Sequence, residues 1–390
     1  LRFPGFEGEW EVRKLGEIAE IARGKSKHRP RDADFLFGGQ YPFIQTGDIK
    51  KADLYLTEYN QTYSEQGLSQ SKLWDEDTLC ITIAANIAET AILKIKACFP
   101  DSIIGLLPHK DRATVLFVKY SFDKFKIFIQ RLSQGIAQDN LNQEKLSNVK
   151  FNFPSIEEQT KIASFLSLLD ERISTQNKII EQLETLIKGL SEKLFSQKIR
   201  FKNFMTQWEF KNLGEICIYK NGGSFEKEIV EEGIYNLITL NSIDIDGNLK
   251  KVHKKVNKTD YSLRKGDLVI VLSDVAHGNF LGLTDIIPND SFVLNQRMGA
   301  LKPKIDVNRF FLKSIININQ KYFKLKGQGS SQLNLSKGDI ENFEVLFPSI
   351  EEQNAIAQFL FCITNKIQTE RNLLDKYQSQ KQYLLQNLFI

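Results

Sequence analysis

The heptapeptide FPSIEEQ occupies Phe153 to Gln159 and occurs again at Phe347 to Gln353, 194 positions later. Ile162, Ala163, Phe165 and Leu166 return at the same offset as Ile356, Ala357, Phe359 and Leu360, and Gln134, Gly135, Gln138, Asn140 and Leu141 return as Gln328, Gly329, Gln332, Asn334 and Leu335. Nearer the start the register slips by four: Arg2, Phe3, Phe6, Trp10 and the LGEI of Leu15 to Ile18 recur 198 positions on, as Arg200, Phe201, Phe204, Trp208 and Leu213 to Ile216. A chain built this way folds as two copies of one scaffold. Between the anchors the copies share hydrophobic rhythm but little identity.

At 390 residues the chain exceeds one ordinary core, and the repeat fixes the division at two domains. We expect mixed α/β domains over 1–152 and 200–346, each followed by a helical segment, 153–199 and 347–390. Short β-rich runs such as Leu79 to Ile83 and Leu268 to Leu272 alternate with loops, whereas Leu116 to Leu132 and Arg309 to Tyr322 read as helices.

Each helical segment has a marked start. Ser155 caps the first, with Glu158 three positions on placed to bond back to the cap, and Ser349 with Glu352 repeats the device. Apolar residues then follow a 3,4 spacing through Leu166, Leu169, Ile173, Ile180, Leu183, Ile187, Leu190 and Leu194, with Gln176 as the polar break. The second copy keeps the frame through Leu360, Ile363, Ile367, Leu374, Tyr377, Leu384 and Leu388, with Glu370 at the place of Gln176. Such seams predict two long antiparallel coiled-coil helices, and hence a circular arrangement with a pseudo-twofold axis. A twofold protein suits duplex DNA.

Composition narrows the class. No apolar run approaches the ~18 residues of a membrane span, and Cys80, Cys98, Cys217 and Cys362 lack the spacing of a disulfide framework or zinc site. A cytoplasmic location and no membrane partner are expected. The chain opens at Leu1 without methionine, which predicts that a short N-terminal stretch is absent.

No catalytic motif is visible. Gly24, Lys25 and Ser26 end like a phosphate-binding loop, but Ala19 stands where the first glycine is required. The glycines of FPGFEG at Phe3 to Gly8 are not repeated in FKNFMT at Phe201, and an N-P-P-Y type motif is absent. Glu209 to Lys211 is an E-x-K without an upstream P-D, and His28, His109, His253 and His277 lack metal-ligand spacing. We therefore expect no catalytic residue, no metal ligand and no cofactor on this chain.

Net charge is only +4, but basic residues cluster. Arg23, Lys25, Lys27, Arg29 and Arg31 stand close together, with Ser26 and His28 among them and no acid between. Lys250, Lys251, Lys254, Lys255 and Lys258 form a second group, and Lys321, Lys324 and Lys326 a third. These groups suit phosphate contact or form an ordinary solvated face. Asparagine and glutamine can bond adenine bidentately, and arginine guanine. On that ground the candidate base or backbone contacts are Thr46, Lys50, Asn86, Gln134, Gln138 and Asn140 in the first half. In the second they are Asn221, Ser224, Thr239, Asn241, Ser273, His277, Gln296, Arg297, Gln328, Ser330, Gln332 and Asn334. Any of these also serves in an ordinary turn or cap.

Taken together, F-x-x-F and W-x(4)-LGEI at each domain start, the Q-G-x-x-Q-x-N-L loop and P-S-I-E-E-Q opening a long helix, all occurring twice, resemble the specificity subunit of a Type I restriction-modification system. The resemblance covers essentially the whole chain. It implies a sequence-specific DNA-binding subunit with two target recognition domains, each reading one half of a split site on double-stranded DNA, held apart by the helices as a ruler. It implies two methyltransferase subunits carrying S-adenosylmethionine and adenine-N6 chemistry, and two motor-nuclease subunits using ATP and Mg. By the same resemblance Pro154, Glu157, Glu158, Gln159, Pro348, Glu351, Glu352 and Gln353 belong at or near the methyltransferase interface. The competing readings are a self-sufficient DNA enzyme and a non-enzymatic coiled-coil tether joining two protein-binding domains.

Overall fold

The repeated motif spells out a clamp, letter by letter, in the computed structural model, which describes residues 1–84, 86–131, 141–275, 278–329 and 332–389. Ser155 Oγ accepts the Glu158 amide at 3.3 Å, so the expected cap is present at the start of the helix Ile156–Phe195. The Glu158 carboxylate has another use. It is 1% exposed and engages the Arg2 guanidinium through both oxygens, at 2.8 and 2.7 Å, where the sequence predicted a bond back to the cap. Capping needs one acceptor, already supplied by serine, whereas a buried arginine-carboxylate fork satisfies two charges together. Gln159 completes the clamp: its Nε2 donates to the Pro154 carbonyl at 3.0 Å and its Oε1 accepts the Thr114 amide at 3.0 Å, where an earlier helix, Val115–Arg131, begins.

The second copy repeats these bonds. Glu352 takes Arg200 at 2.9 and 2.7 Å, and Gln353 joins the Pro348 carbonyl at 2.9 Å to the Asn308 amide at 3.1 Å. One difference stands out. The Trp208 indole also donates to Glu352 at 2.9 Å, whereas the Nε1 of its counterpart Trp10 has no partner among the described residues.

The chain divides into two compact units, Leu1–Ile179 with Glu370–Ile390, and Ile180–Thr369. In the first, strands Ala19–Arg23, Ile103–Pro108, Leu79–Thr82, Thr90–Leu93 and Tyr55–Leu56 form a sheet in that order. Its apolar face packs on Val115–Arg131 and on Ile162, Leu166 and Leu169 of the first long helix. Strand Glu11–Lys14 pairs antiparallel with Lys150–Phe153, and Phe37–Phe43 with Gln61–Tyr63. In the second unit the matching sheet runs Cys217–Asn221, Met298–Pro303, Leu268–Val271 and Thr284–Ile286. Glu209–Asn212 pairs there with Glu344–Phe347, and a second sheet holds Ile229–Val230, Lys254–Val256, Tyr235–Ile238 and Phe292–Leu294.

Two sequence expectations need adjusting. The helix expected over Arg309 to Tyr322 is two, Arg309–Ile318 and Gln320–Lys326, because the Asn319 side chain donates to the Ile315 carbonyl at 2.8 Å and competes with continuation. The seam positions are also unevenly buried: Leu166, Leu169, Ile180 and Leu194 are buried, but Leu183, Ile187 and Leu190 are only half-buried. Inside the first unit, the first long helix lies antiparallel to the end of the second, Ile350–Leu388. Gln176 donates to the Glu370 carbonyl at 3.2 Å, and Asp170 pairs with Lys381 at 2.6 Å.

Removing either glutamate leaves an arginine that still reaches water, so its charge is not stranded. Glu352→Ala is expected to cost more stability than Glu158→Ala, since only the former also leaves a buried indole N–H without its partner. Denaturant unfolding of the two variants, with hydrogen exchange to localise the loss, checks the order.

Candidate nucleic-acid interface

The basic segment of the first unit is less free than its sequence suggests. Arg29 Nη1 donates to the carbonyls of Ser26 and His28 at 2.8 and 2.7 Å, Arg31 pairs with Asp101 at 2.7 Å, and Arg23 Nε donates to the Asp101 carbonyl. Ser26 is 6% exposed, with its Oγ 3.5 Å from the Tyr63 hydroxyl. These groups shape the loop. Lys25 and Lys27 are exposed, and neither ammonium has an ion pair among the described residues. Beside the loop lies a groove of about 580 Å³ lined by Ser26, Arg31, Phe37, Gln45, Thr46 and Gln61 among others.

Thr46 opens the short helix Thr46–Lys51, and Lys50 on the same helix donates to Asn86 Oδ1 at 3.3 Å. Asn86 has φ +59°, a left-handed conformation that asparagine tolerates, in the turn after Leu79–Thr82. Thr46, Lys50 and Asn86 therefore come together. Gln134, Gln138 and Asn140 lie outside the described residues.

In the second unit two groups form. Gly222 N–H donates to the Met298 carbonyl at 3.0 Å and Gly223 N–H to the Leu294 carbonyl at 3.0 Å, setting Asn221 and Ser224 beside exposed Gln296 and Arg297. Asn295, 2% exposed, anchors this edge by accepting the Phe225 amide on Oδ1 at 3.2 Å. Its own amide donates to the Ile238 carbonyl at 3.0 Å, which brings in Thr239 and Asn241.

The second group is a ribbon. Ser273–Val275 runs antiparallel to Gln332–Asn334, Ser273 Oγ donates to Asn334 Oδ1 at 2.6 Å, and Gln328 bridges Asn334 through backbone bonds of 3.0 and 2.9 Å. Thus Ser273, Gln328, Gln332 and Asn334 meet, while His277 and Ser330 fall outside the described residues. The two groups touch where the Leu272 amide donates to the Arg297 carbonyl at 3.1 Å. Of the second lysine cluster, Lys255 is held by Asn236 at 2.8 Å and Lys258 by Glu228 at 2.8 Å, whereas Lys250, Lys251 and Lys254 are exposed.

The expected partner-facing residues separate sharply. Pro154, Glu158, Gln159, Pro348, Glu352 and Gln353 are buried, and the carboxylates and amides among them are consumed within the chain, so their side chains serve the clamp and offer no free surface. Glu157 and Glu351 remain exposed. Each carboxyl is held below its usual range by its own backbone amide and by the neighbouring serine hydroxyl.

Residues 7–185 and 205–377 each match the family model described as Type I restriction modification DNA specificity domain. The chain belongs to that family. It is similar to the Type I restriction enzyme MjaVIII specificity subunit of Methanocaldococcus jannaschii, 25% identical over 402 residues, which cover 97% of this chain and 91% of that protein. Among solved structures, the Type I restriction-modification S subunit from M. genitalium superposes with a TM-score of 0.66 at 18% identity, covering 100% of this chain and 97% of that one. A chain from a type I R-M system solved for its complex assembly and conformational transition gives 0.60 at 15% identity, with 97% of each chain covered. At such identities these structures show the fold. Family membership makes this specificity subunit a DNA sequence-recognition subunit, and the tether reading is not favoured.

Sequence reasoning missed several residues. Arg2 and Arg200 were visible as recurring positions without an assigned partner. Gln45, Asn60 and Gln61 went unnoticed, although YPFIQTGDI at Tyr41 aligns with YNLITLNSI at Tyr235 and offered a signal.

Gly329 in the ribbon loop of the specificity subunit has φ +132°, and a Cβ there would lie 2.0 Å from the Gln332 carbonyl oxygen. Gly329→Ala forces a strain of about 1–3 kcal/mol or a rearranged loop. Thermal unfolding is expected to show a lowered melting temperature if the strain is kept and a nearly unchanged one if the loop rearranges, and titration of DNA with the assembled complex is expected to show weakened cognate binding in either case.

Proposed function

We propose that this chain directs a Type I restriction-modification complex to a bipartite DNA site. Domains 1–152 and 200–346 each read one half, and segments 153–199 and 347–390 form an antiparallel coiled coil with pseudo-twofold symmetry that sets the gap. The supporting observation is one scaffold built twice, with its clamp bonds repeated residue for residue and its exposed loops divergent. Repetition suits a partner with two similar sides, and divergence suits two unlike half-sites. Among the described residues no helix is long and apolar enough to cross a membrane.

In this reading the chain is non-catalytic and binds double-stranded DNA in the cytoplasm. Two methyltransferase subunits supply S-adenosylmethionine chemistry at adenine N6, docking where Glu157 and Glu351 face outward. Two motor-nuclease subunits supply ATP- and Mg-dependent cleavage. Phosphate grip comes from exposed lysines such as Lys25 and Lys27, and base discrimination from the loop side chains gathered above.

Two measurements test this. Co-expression with the methyltransferase subunit encoded beside it, followed by single-molecule mapping of methylated adenines, is expected to yield one split motif with unlike halves. Unmodified DNA from a soluble complex with an active methyltransferase overturns the reading. Replacing Lys25 and Lys27 by alanine is expected to reduce the slope of log K against log salt by about 1 per lysine, with the motif unchanged.

The ruler has its own test. Inserting one heptad into each long helix is expected to lengthen the gap in the methylated motif and to leave the bases of both halves as they were. An unchanged gap sinks the ruler and spares the recognition role.

A further inference from the structure

Gln45 and Gln61 stand 16 residues apart in sequence and side by side in the first unit, where Gln45 Nε2 donates to Gln61 Oε1 at 2.6 Å. Both are exposed. Strand pairing places them: Phe43, two residues before Gln45, lies opposite Gln61 in the antiparallel register. Asp48 then fixes the frame, accepting the Gln45 backbone amide on Oδ2 at 2.9 Å and the Asn60 side-chain amide on Oδ1 at 2.7 Å. One carboxylate thus steadies the segments that carry both glutamines.

A primary amide has one acceptor oxygen and two N–H donors. When a single bond joins two amides, one is left with a free oxygen and the other with a free NH2, whichever way the pair is turned. Adenine shows the complementary pair in the major groove, an N6 donor beside the N7 acceptor, whereas guanine shows two acceptors. The paired amides fit adenine and set an oxygen against an acceptor when guanine takes its place.

The second unit carries the same frame with other chemistry. Leu237 lies opposite Lys254 as Phe43 lies opposite Gln61, and Ser242 Oγ accepts the Thr239 amide at 2.9 Å as Asp48 accepts that of Gln45. Thr239 and exposed Lys254 thus occupy the places of Gln45 and Gln61. Scaffold bonds persist where the outward side chains change, which is the pattern expected of positions that choose bases.

We propose that the Gln45–Gln61 amide pair is a specificity-determining element that reads an adenine in the half-site bound by the first domain. This rests on the bipartite DNA reading above. The groove beside the pair leaves space for a base-pair edge, with Thr46 on its wall.

The test uses the full chain co-expressed with its methyltransferase subunit and maps methylated adenines for the wild type and for Gln61→Leu, Gln45→Leu and Gln61→Glu. The expected result is that the leucine variants keep the split motif but relax one A·T position in one half, with discrimination falling about tenfold or more. The other half stays intact. Gln61→Glu, which presents only acceptors, is expected to lose adenine at that same position. A motif unchanged in all three variants overturns the assignment, as does relaxation at a G·C position or in both halves. If a variant methylates nothing, its purified complex is titrated with the wild-type site and with the same site carrying G·C at each A·T in turn; undiminished preference for every A·T overturns the assignment too. Failure of the wild type to methylate any split motif removes the bipartite reading itself, an outcome distinct from all of these.

Discussion

An α-helix begins with backbone donors that nothing inside the helix can satisfy, and a carboxylate placed there is stabilised by the helix dipole. In this protein the carboxylate of Glu158 or Glu352 at the start of each long helix is buried and already committed to an arginine from the segment that opens its sequence repeat, Arg2 for Glu158 and Arg200 for Glu352. The neighbouring glutamine ties the same turn to the start of an earlier helix, Val115–Arg131 or Arg309–Ile318. Three chain segments are thus located by two adjacent side chains. Strand pairing of Glu11–Lys14 with Lys150–Phe153, and of Glu209–Asn212 with Glu344–Phe347, then brings each domain entrance to its exit. The sheet and its loops are presented on a base fixed by those contacts.

This arrangement separates stability from recognition. The clamp glutamates and glutamines and the central strands Leu79–Thr82, Thr90–Leu93 and Leu268–Val271 are buried, while most of the candidate contacts sit in turns and short ribbons braced by one or two hydrogen bonds. Asp48 and Ser242 do this bracing in the two units, and Asn295 does it at the edge that carries Arg297. Loops held this way can exchange outward side chains without disturbing the core.

The repeat, the two-domain organisation and the start of each helix were legible because they depend on identity at fixed offsets and on local capping by Ser155 and Ser349. The role of Glu158 was not. Local rules assign it to the cap, whereas its partner Arg2 lies 156 residues away, and a non-local salt bridge leaves no periodic trace. The break at Asn319 was hidden for a related reason: apolar periodicity runs through it while one side-chain amide decides the backbone. Basic clustering overstated the free charge, since Arg29 and Arg31, though exposed, are engaged by carbonyls and by Asp101. The Gln45–Gln61 pair escaped notice because only the pairing of two strands brings these residues together.

The Trp208 bond to Glu352 also makes the clamp observable. The sequence has three tryptophans; Trp10 and Trp74 belong to the first unit, leaving Trp208 as the indole of the second. Its ring is 4% exposed and its N–H points at a carboxylate that also holds Arg200. Emission from that chromophore therefore reports on the junction where the second domain meets its helix. With the other two indoles replaced by phenylalanine, loosening of that junction would register as a change in colour and intensity before the helix itself unwinds.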